Sequence, residues 1–153
     1  MARFVTKTVV GNIESKGVAL FEEDIPVKVL DEMLNTQADV IEPEIARNAD
    51  SMLQGKYWTG GTQRALTRKK PENWHGKRGN GQRQIALVFK GIRIDAYHKK
   101  EKRTRNAEIA FVNEYGARTA SPRPFIQKAI EDNENEAYES AEKVFRDWQE
   151  KKG

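Results

Sequence analysis

The stretch that most restricts what this chain can fold into is NAEIAFVNEYGARTASPRPFIQKAI, from Asn106 to Ile130. Ile109, Phe111 and Asn113 alternate with Ala110, Val112 and Glu114, the period-2 pattern of a strand with a buried face. This predicts a strand over Ala107 to Asn113. Gly116 stops it, at a position where a backbone with positive φ is expected and alanine would resist. Pro122 and Pro124 bracket Arg123. Proline fixes φ and lacks an N–H, so the pair suits an extended lead into a helix with Pro124 in its first turn. Phe125, Ile126, Ala129 and Ile130 then begin an apolar stripe at helical spacing.

Two helices frame the reading. Leu30, Met33, Leu34, Ala38, Ile41, Ile45, Ala49 and Met52 recur at three- and four-residue steps, which predicts one long amphipathic helix from Ile25 to Met52. Glu22, Glu23 and Asp24 ahead of Pro26 suit its start. Pro43 inside it predicts a kink, or a break near Ile41. The last helix runs from Pro124 to Trp148 and carries Ile126, Ile130, Ala137, Ala141, Val144, Phe145 and Trp148 on one face. The strands expected between and before them are short. Phe4 to Val10 reads as one, and Val18 to Phe21 can pair with it as a hairpin through Gly11-Asn12. Thr62 to Arg68, Gln84 to Phe89 and Ile92 to Tyr97 follow. Gly91 is a bulge in one bent strand or part of a turn, and Lys90-Gly91 is a poor primed-turn pair, which favours the bulge. The expected fold is α+β: a small, mainly antiparallel sheet of three to five strands packed with two long helices, in a single domain of 153 residues.

Charge divides the chain. From Lys56 to Arg105 there are fifteen Lys and Arg against three acids, net +12, while the remainder carries −8. Lys69 to Gln82, KKPENWHGKRGNGQ, has little to bury and reads as a mobile basic loop. His98 to Arg105 is a second basic connection. Such a segment is a nucleic-acid surface, a subunit contact or a solvated loop. No apolar run approaches the ~20 residues of a membrane span, no signal peptide is evident, and zero cysteines exclude disulfides and thiol catalysis.

The strand, the E-Y-G stop and the P-R-P-F-I-x-x-A-I-E helix start also resemble the C-terminal signature of the tail-completion or head–tail joining proteins (tail terminator and neck components) of long-tailed double-stranded DNA bacteriophages and prophages. Their usual form is roughly A-x-x-V-E-[FY]-G-T-x-x-x-x-A-R-P-F-[LI]-x-P-A. Glu114, Tyr115, Gly116, Arg123, Pro124, Phe125 and Ala129 match it. Ala117 departs where Thr is usual, and Lys128 where a second Pro is common. The resemblance implies a non-enzymatic virion component made in the bacterial host cytoplasm. It further implies assembly as a ring, commonly hexameric, around the DNA passage, with other neck or tail-tube proteins as partners, without cofactor or membrane. Within the motif, Gly116 is expected to supply geometry, Pro124 to start the helix and Phe125 to plug the core. Arg123 is expected to bridge to Glu114 or to a neighbour's acidic helix.

Residues for chemistry are sparse. His75 and His98 have no partner at metal-ligand spacing. Gly76, Gly79 and Gly81 lack the G-K-[ST] of a phosphate loop, and Ser121 has no adjacent histidine or nucleophile elbow. The rival reading is a basic nucleic-acid-binding domain. Arg68, Lys69, Lys70, Lys77, Arg78, Arg83, Lys99, Lys100, Lys102, Arg103 and Arg105 can track phosphates, or serve as assembly surfaces facing a DNA passage. Tyr57, Trp58 and Trp74 can stack on bases or pack against the sheet. No zinc-finger, RNP, KH or helix-turn-helix pattern accompanies them.

Overall fold

The computed structural model describes residues 2–9, 12–19, 25–53, 60–73, 83–92 and 105–152, with backbone alone for the first two segments. The architecture is α+β: an antiparallel sheet under two long, mutually packed helices. Strands β1 (Ala2–Val9) and β2 (Asn12–Ala19) form a hairpin in continuous register from Ala2↔Ala19 to Val9↔Asn12. Helix α1 (Val27–Met52) follows, then the short α2 (Gly61–Ala65), β3 (Leu66–Arg68), β4 (Glu72–Asn73) and β5 (Arg83–Phe89). Helices α3 (Asn106–Tyr115) and α4 (Phe125–Lys152) complete the chain.

β5 is the spine of the sheet. It pairs with β2 along one side and with both β3 and β4 along the other. Leu66 faces Phe89 and Arg68 faces Leu87, but Glu72 faces Gln84, so the β3–β4 side has gained one residue between the two pieces. That extra residue is a bulge in one interrupted edge strand. It falls at Lys69–Lys70–Pro71, where proline and lysines also discourage pairing with another chain.

The hydrophobic effect selects the layering. Ile85, Leu87 and Phe89 alternate along β5 into the same cluster as Leu34, Ile41 and Ile45 of α1 and Phe125, Ile126 and Ala129 of α4. Gln84, Ala86 and Val88 between them are buried as well. Both long helices lay the predicted apolar stripe on this core. α1 runs without a break past Pro43. Proline removes the N–H that would bond the Asp39 carbonyl, and Pro43 lies on the exposed side, where water can replace the lost donor.

Two strand expectations are corrected, and others are met only in part. The strand expected over Ala107 to Asn113 is the helix α3. Its alternation was carried by Ala, Ile, Phe and Val on both faces, with too little polarity contrast to set a period. The spacing that wins places Asn106, Ala110 and Glu114 on the buried side, four residues apart, with Ala107 and Phe111 beside them. Thr62 to Arg68 is divided: Gly61–Ala65 is helical, after Gly60 with φ 75°, and only Leu66–Arg68 is strand. Of the strand expected at Ile92 to Tyr97, Ile92 makes a single bridge to Arg105, and residues 93–97 lie outside the described segments. Gly91, with φ 83°, stands beyond the end of β5, and its carbonyl accepts the Asn106 N–H at 3.0 Å. The loop expected at 69–82 is partly ordered, since Glu72 and Asn73 pair with β5.

Candidate functional site

The motif residues converge on the corner between α3 and α4. α4 begins at Phe125, directly after two prolines and an arginine, with no Ser, Thr, Asp or Asn of its own to cap it. The acceptor comes from the preceding helix. Ile126 N–H donates to Glu114 Oε2 at 2.8 Å and Gln127 N–H to Oε1 at 2.9 Å. One carboxylate thus satisfies two of the first-turn donors and meets the positive end of the helix dipole. Glu114 is buried, and that burial raises its pKa; the two backbone hydrogen bonds work in the opposite direction.

Gly116 turns the chain with φ 80° and ψ 176°, a region open to glycine alone. A Cβ there would lie 2.9 Å from Pro122 Cδ and 3.0 Å from the Ala120 carbonyl oxygen. Ala117 and Ala120 exchange two backbone hydrogen bonds, at 2.9 and 3.1 Å, which folds Arg118 and Thr119 into the tip of a tight exposed hairpin. Arg123 closes the corner. Its backbone N–H donates to the Asn113 carbonyl at 2.6 Å, and its guanidinium donates to Asn113 Oδ1 at 2.7 Å and to the Met52 carbonyl at 3.3 Å. The expected bridge from Arg123 to Glu114 is therefore replaced, because Glu114 is turned toward the α4 N-terminus. Phe125 is fully buried, edge-on to Phe89 at a centroid distance of 6.0 Å, and its carbonyl accepts Asn48 Nδ2–H at 3.1 Å. Tyr115 remains half-exposed with its ring against Phe111.

The basic residues separate into two groups. Arg83 binds Asp31 of α1 through two hydrogen bonds of 2.8 and 2.9 Å, and also donates to Asn73 Oδ1 and the Pro71 carbonyl. Arg68 donates to Asp39 and Glu42 of the same helix, at 2.7 Å each. Burial opposes the Arg68 charge, but hydrogen bonds to Asp39 and Glu42 outweigh it and raise its pKa. The hydrogen bonds to Asp31 raise that of Arg83. Arg68 fastens β3 to α1, and Arg83, at the start of β5, ties α1 to the β4 end of the edge through Asn73 and Pro71. Arg105 precedes α3 and pairs with Glu108 at 2.8 Å. Lys69 and Lys70 are exposed at the bulge. Lys77, Arg78, Lys99, Lys100, Lys102 and Arg103 lie outside the described residues, as do Tyr57, Trp58, Trp74, His75 and His98.

Sequence reasoning missed Glu114 as a cap supplied from twelve residues away. The available signal was α4 itself, a long helix without a local cap. Among the described residues no three His, Cys, Asp or Glu are grouped to hold a metal ion, and no helix is long and apolar enough to cross a membrane. Comparison with family models, with curated proteins and with solved structures finds no match to this chain.

Proposed function

We propose that this chain is a structural component of a long-tailed bacteriophage particle. It is made in the bacterial host cytoplasm and built into the virion, where it completes the tail or joins it to the head as a ring of copies around the DNA passage. The observation that carries this reading is the convergence of the motif residues on one corner. Glu114 caps α4, Gly116 turns the chain, Arg123 ties the loop to α3 and α1, and Phe125 anchors the helix in the core. Residues that resemble a family signature thus act as one geometric unit, although the E-Y-G segment ends a helix rather than a strand. Segregated charge supplies a means of ring closure: the cations of the +12 segment other than Arg68, Arg83 and Arg105, which pair with acids of their own copy, can meet the acidic remainder of the next.

The nucleic-acid reading is weakened by where its cations point. Arg68 and Arg83 are engaged with α1 carboxylates and Arg105 with Glu108, so three of the eleven candidate phosphate contacts already have partners. Particles from the phage or prophage encoding the chain test the proposal. Stoichiometric presence of the chain, and unjoined heads and tails when it is removed, are expected. Its absence from purified particles overturns the reading. Tight DNA binding with a steep log–log dependence on salt would transfer the conclusion to the rival.

A further inference from the structure

We infer that successive copies of the chain dock head to tail, the α3–α4 knuckle of one copy seated on the Tyr138 face of α4 in the next. The inference rests on the ring reading above and adds to it a contact made wholly outside the +12 segment. Among the described residues, the exposed large hydrophobics include Val112 and Tyr115, 39% and 45% exposed at adjacent turns of α3, and Tyr138, 36% exposed on α4. The first two precede the exposed Ala117–Ala120 hairpin in the chain. From Tyr115 to Ile130 the chain carries Arg118, Arg123 and Lys128 and no acid; from Glu131 to Glu142 it carries six acids and no base. Arg118 and Lys128 are exposed. On α4, Glu131, Glu134 and Tyr138 follow at steps of three and four, which aligns them in one stripe, and all three are exposed. One surface is therefore apolar with cations, the other aromatic with anions.

Lys128 lies one turn before Glu131 on α4 and can reach it within one copy, so the pairing between copies is carried by Arg118. The knuckle adjoins the first turn of α4, and Tyr138 is thirteen residues further, about 20 Å along the helix axis. A contact between different patches is heterologous, so it propagates into a closed ring or an open filament. A knuckle of some ten residues is smaller than the roughly 800 Å² per partner of a stable pair. A single contact should accordingly be weak, and ring closure should strengthen it by making the last contacts intramolecular.

The chain has no cysteine, so introduced thiols report contacts without interference. Thr119→Cys at the hairpin tip and Asn135→Cys beside the stripe leave every charge and aromatic ring in place. Mixed in equal amounts and oxidised at low salt, the two variants are expected to form the hetero-linked pair in excess over both homo-linked pairs. A statistical mixture, a predominance of either homo-linked pair, or no linkage overturns the inference. Arg118→Glu and Glu134→Lys should each weaken self-association about fivefold, as expected for an exposed ion pair. Combined in one chain they should restore it, and a double variant no better than the singles overturns the charge pairing. If the hetero-linked pair forms but the chain is missing from particles, the contact stands and the virion reading falls. If the chain is in the particles and no hetero-linked pair forms there, the virion reading stands and this contact falls.

Discussion

The α3–α4 corner and the β3–β4 edge are both held by polar contacts, but of different kinds. At the corner the charged group is a buried carboxylate whose two oxygens meet backbone N–H groups at fixed positions. At the edge the charges are arginines reaching α1 carboxylates, Arg68 with a quarter of its side chain and Arg83 with a sixth still exposed. A partner that is backbone cannot adjust its rotamer, and a site that is dry cannot substitute water for a lost contact. The corner should therefore respond to substitution as core does. The edge should respond as surface does, moderated by salt.

Phe125→Ala sets the upper end of the scale. The ring is fully buried against Phe89 and begins α4, so its removal should cost about 3–5 kcal/mol in chemical denaturation. That is a large share of the roughly 5–15 kcal/mol expected of a domain. Gly116→Ala comes next, at about 1–3 kcal/mol. Its Cβ meets Pro122 and a backbone oxygen at 2.9–3.0 Å, and φ 80° with ψ 176° penalises any side chain. A cost below a few tenths of a kcal/mol would show that the corner relaxes like an exposed loop and would erase the contrast.

Glu114 gives the comparison a second axis, pH. Glu114→Ala should cost about 1–2 kcal/mol, the usual loss of a helix cap. Glu114→Gln isolates the charge. Burial raises the folded-state pKa of Glu114 above its ordinary value of 4.5. The stability this group contributes is then fully present below that value and is lost as pH rises through the raised one. Wild type should therefore lose stability relative to Glu114→Gln over that window in paired melts, with little further change at higher pH. The opposite slope would mean that the two N–H donors outweigh burial.

The long helices were legible because their apolar residues recur at one period over seven turns, and β1 and β5 because they contain short runs rich in β-branched and apolar residues; β2 was not, since the strand expected at Val18 to Phe21 is Asn12–Ala19, in which only two of eight residues belong to that apolar run. At the corner, Gly116 and Phe125 were legible as residue types. α3 was not. Ten residues in which Ala110, Phe111 and Val112 are consecutive and apolar fit either period, and the choice was made by what Ala107, Ala110 and Phe111 pack against. The partners of Glu114, Arg68 and Arg83 were illegible for another reason. The N–H partners of Glu114 and the carboxylate partners of Arg68 and Arg83 lie 12–13, 26–29 and 52 residues away, and nothing local in a sequence marks a contact made across a fold.

The edge supplies the smallest expected effects and the finest test. Arg83→Met removes two hydrogen bonds to Asp31 and one each to Asn73 and Pro71, from the less exposed of the two arginines. Arg68→Met removes one bond to each of two carboxylates from a more exposed position, and one of these, Asp39, is itself largely in solvent. Methionine keeps much of the stem that packs on the edge, so the difference reports the charge. A loss of about 1 kcal/mol for Arg83 and less for Arg68 is expected at low salt. Both should shrink toward zero near 1 M salt, where the screening length is about 3 Å. Phe125→Ala and Gly116→Ala should keep their cost at that salt, since neither removes a charge. If Arg83→Met also kept its full cost, the Asp31 pair would be shielded from salt as the corner is, and the contrast between edge and corner would fail.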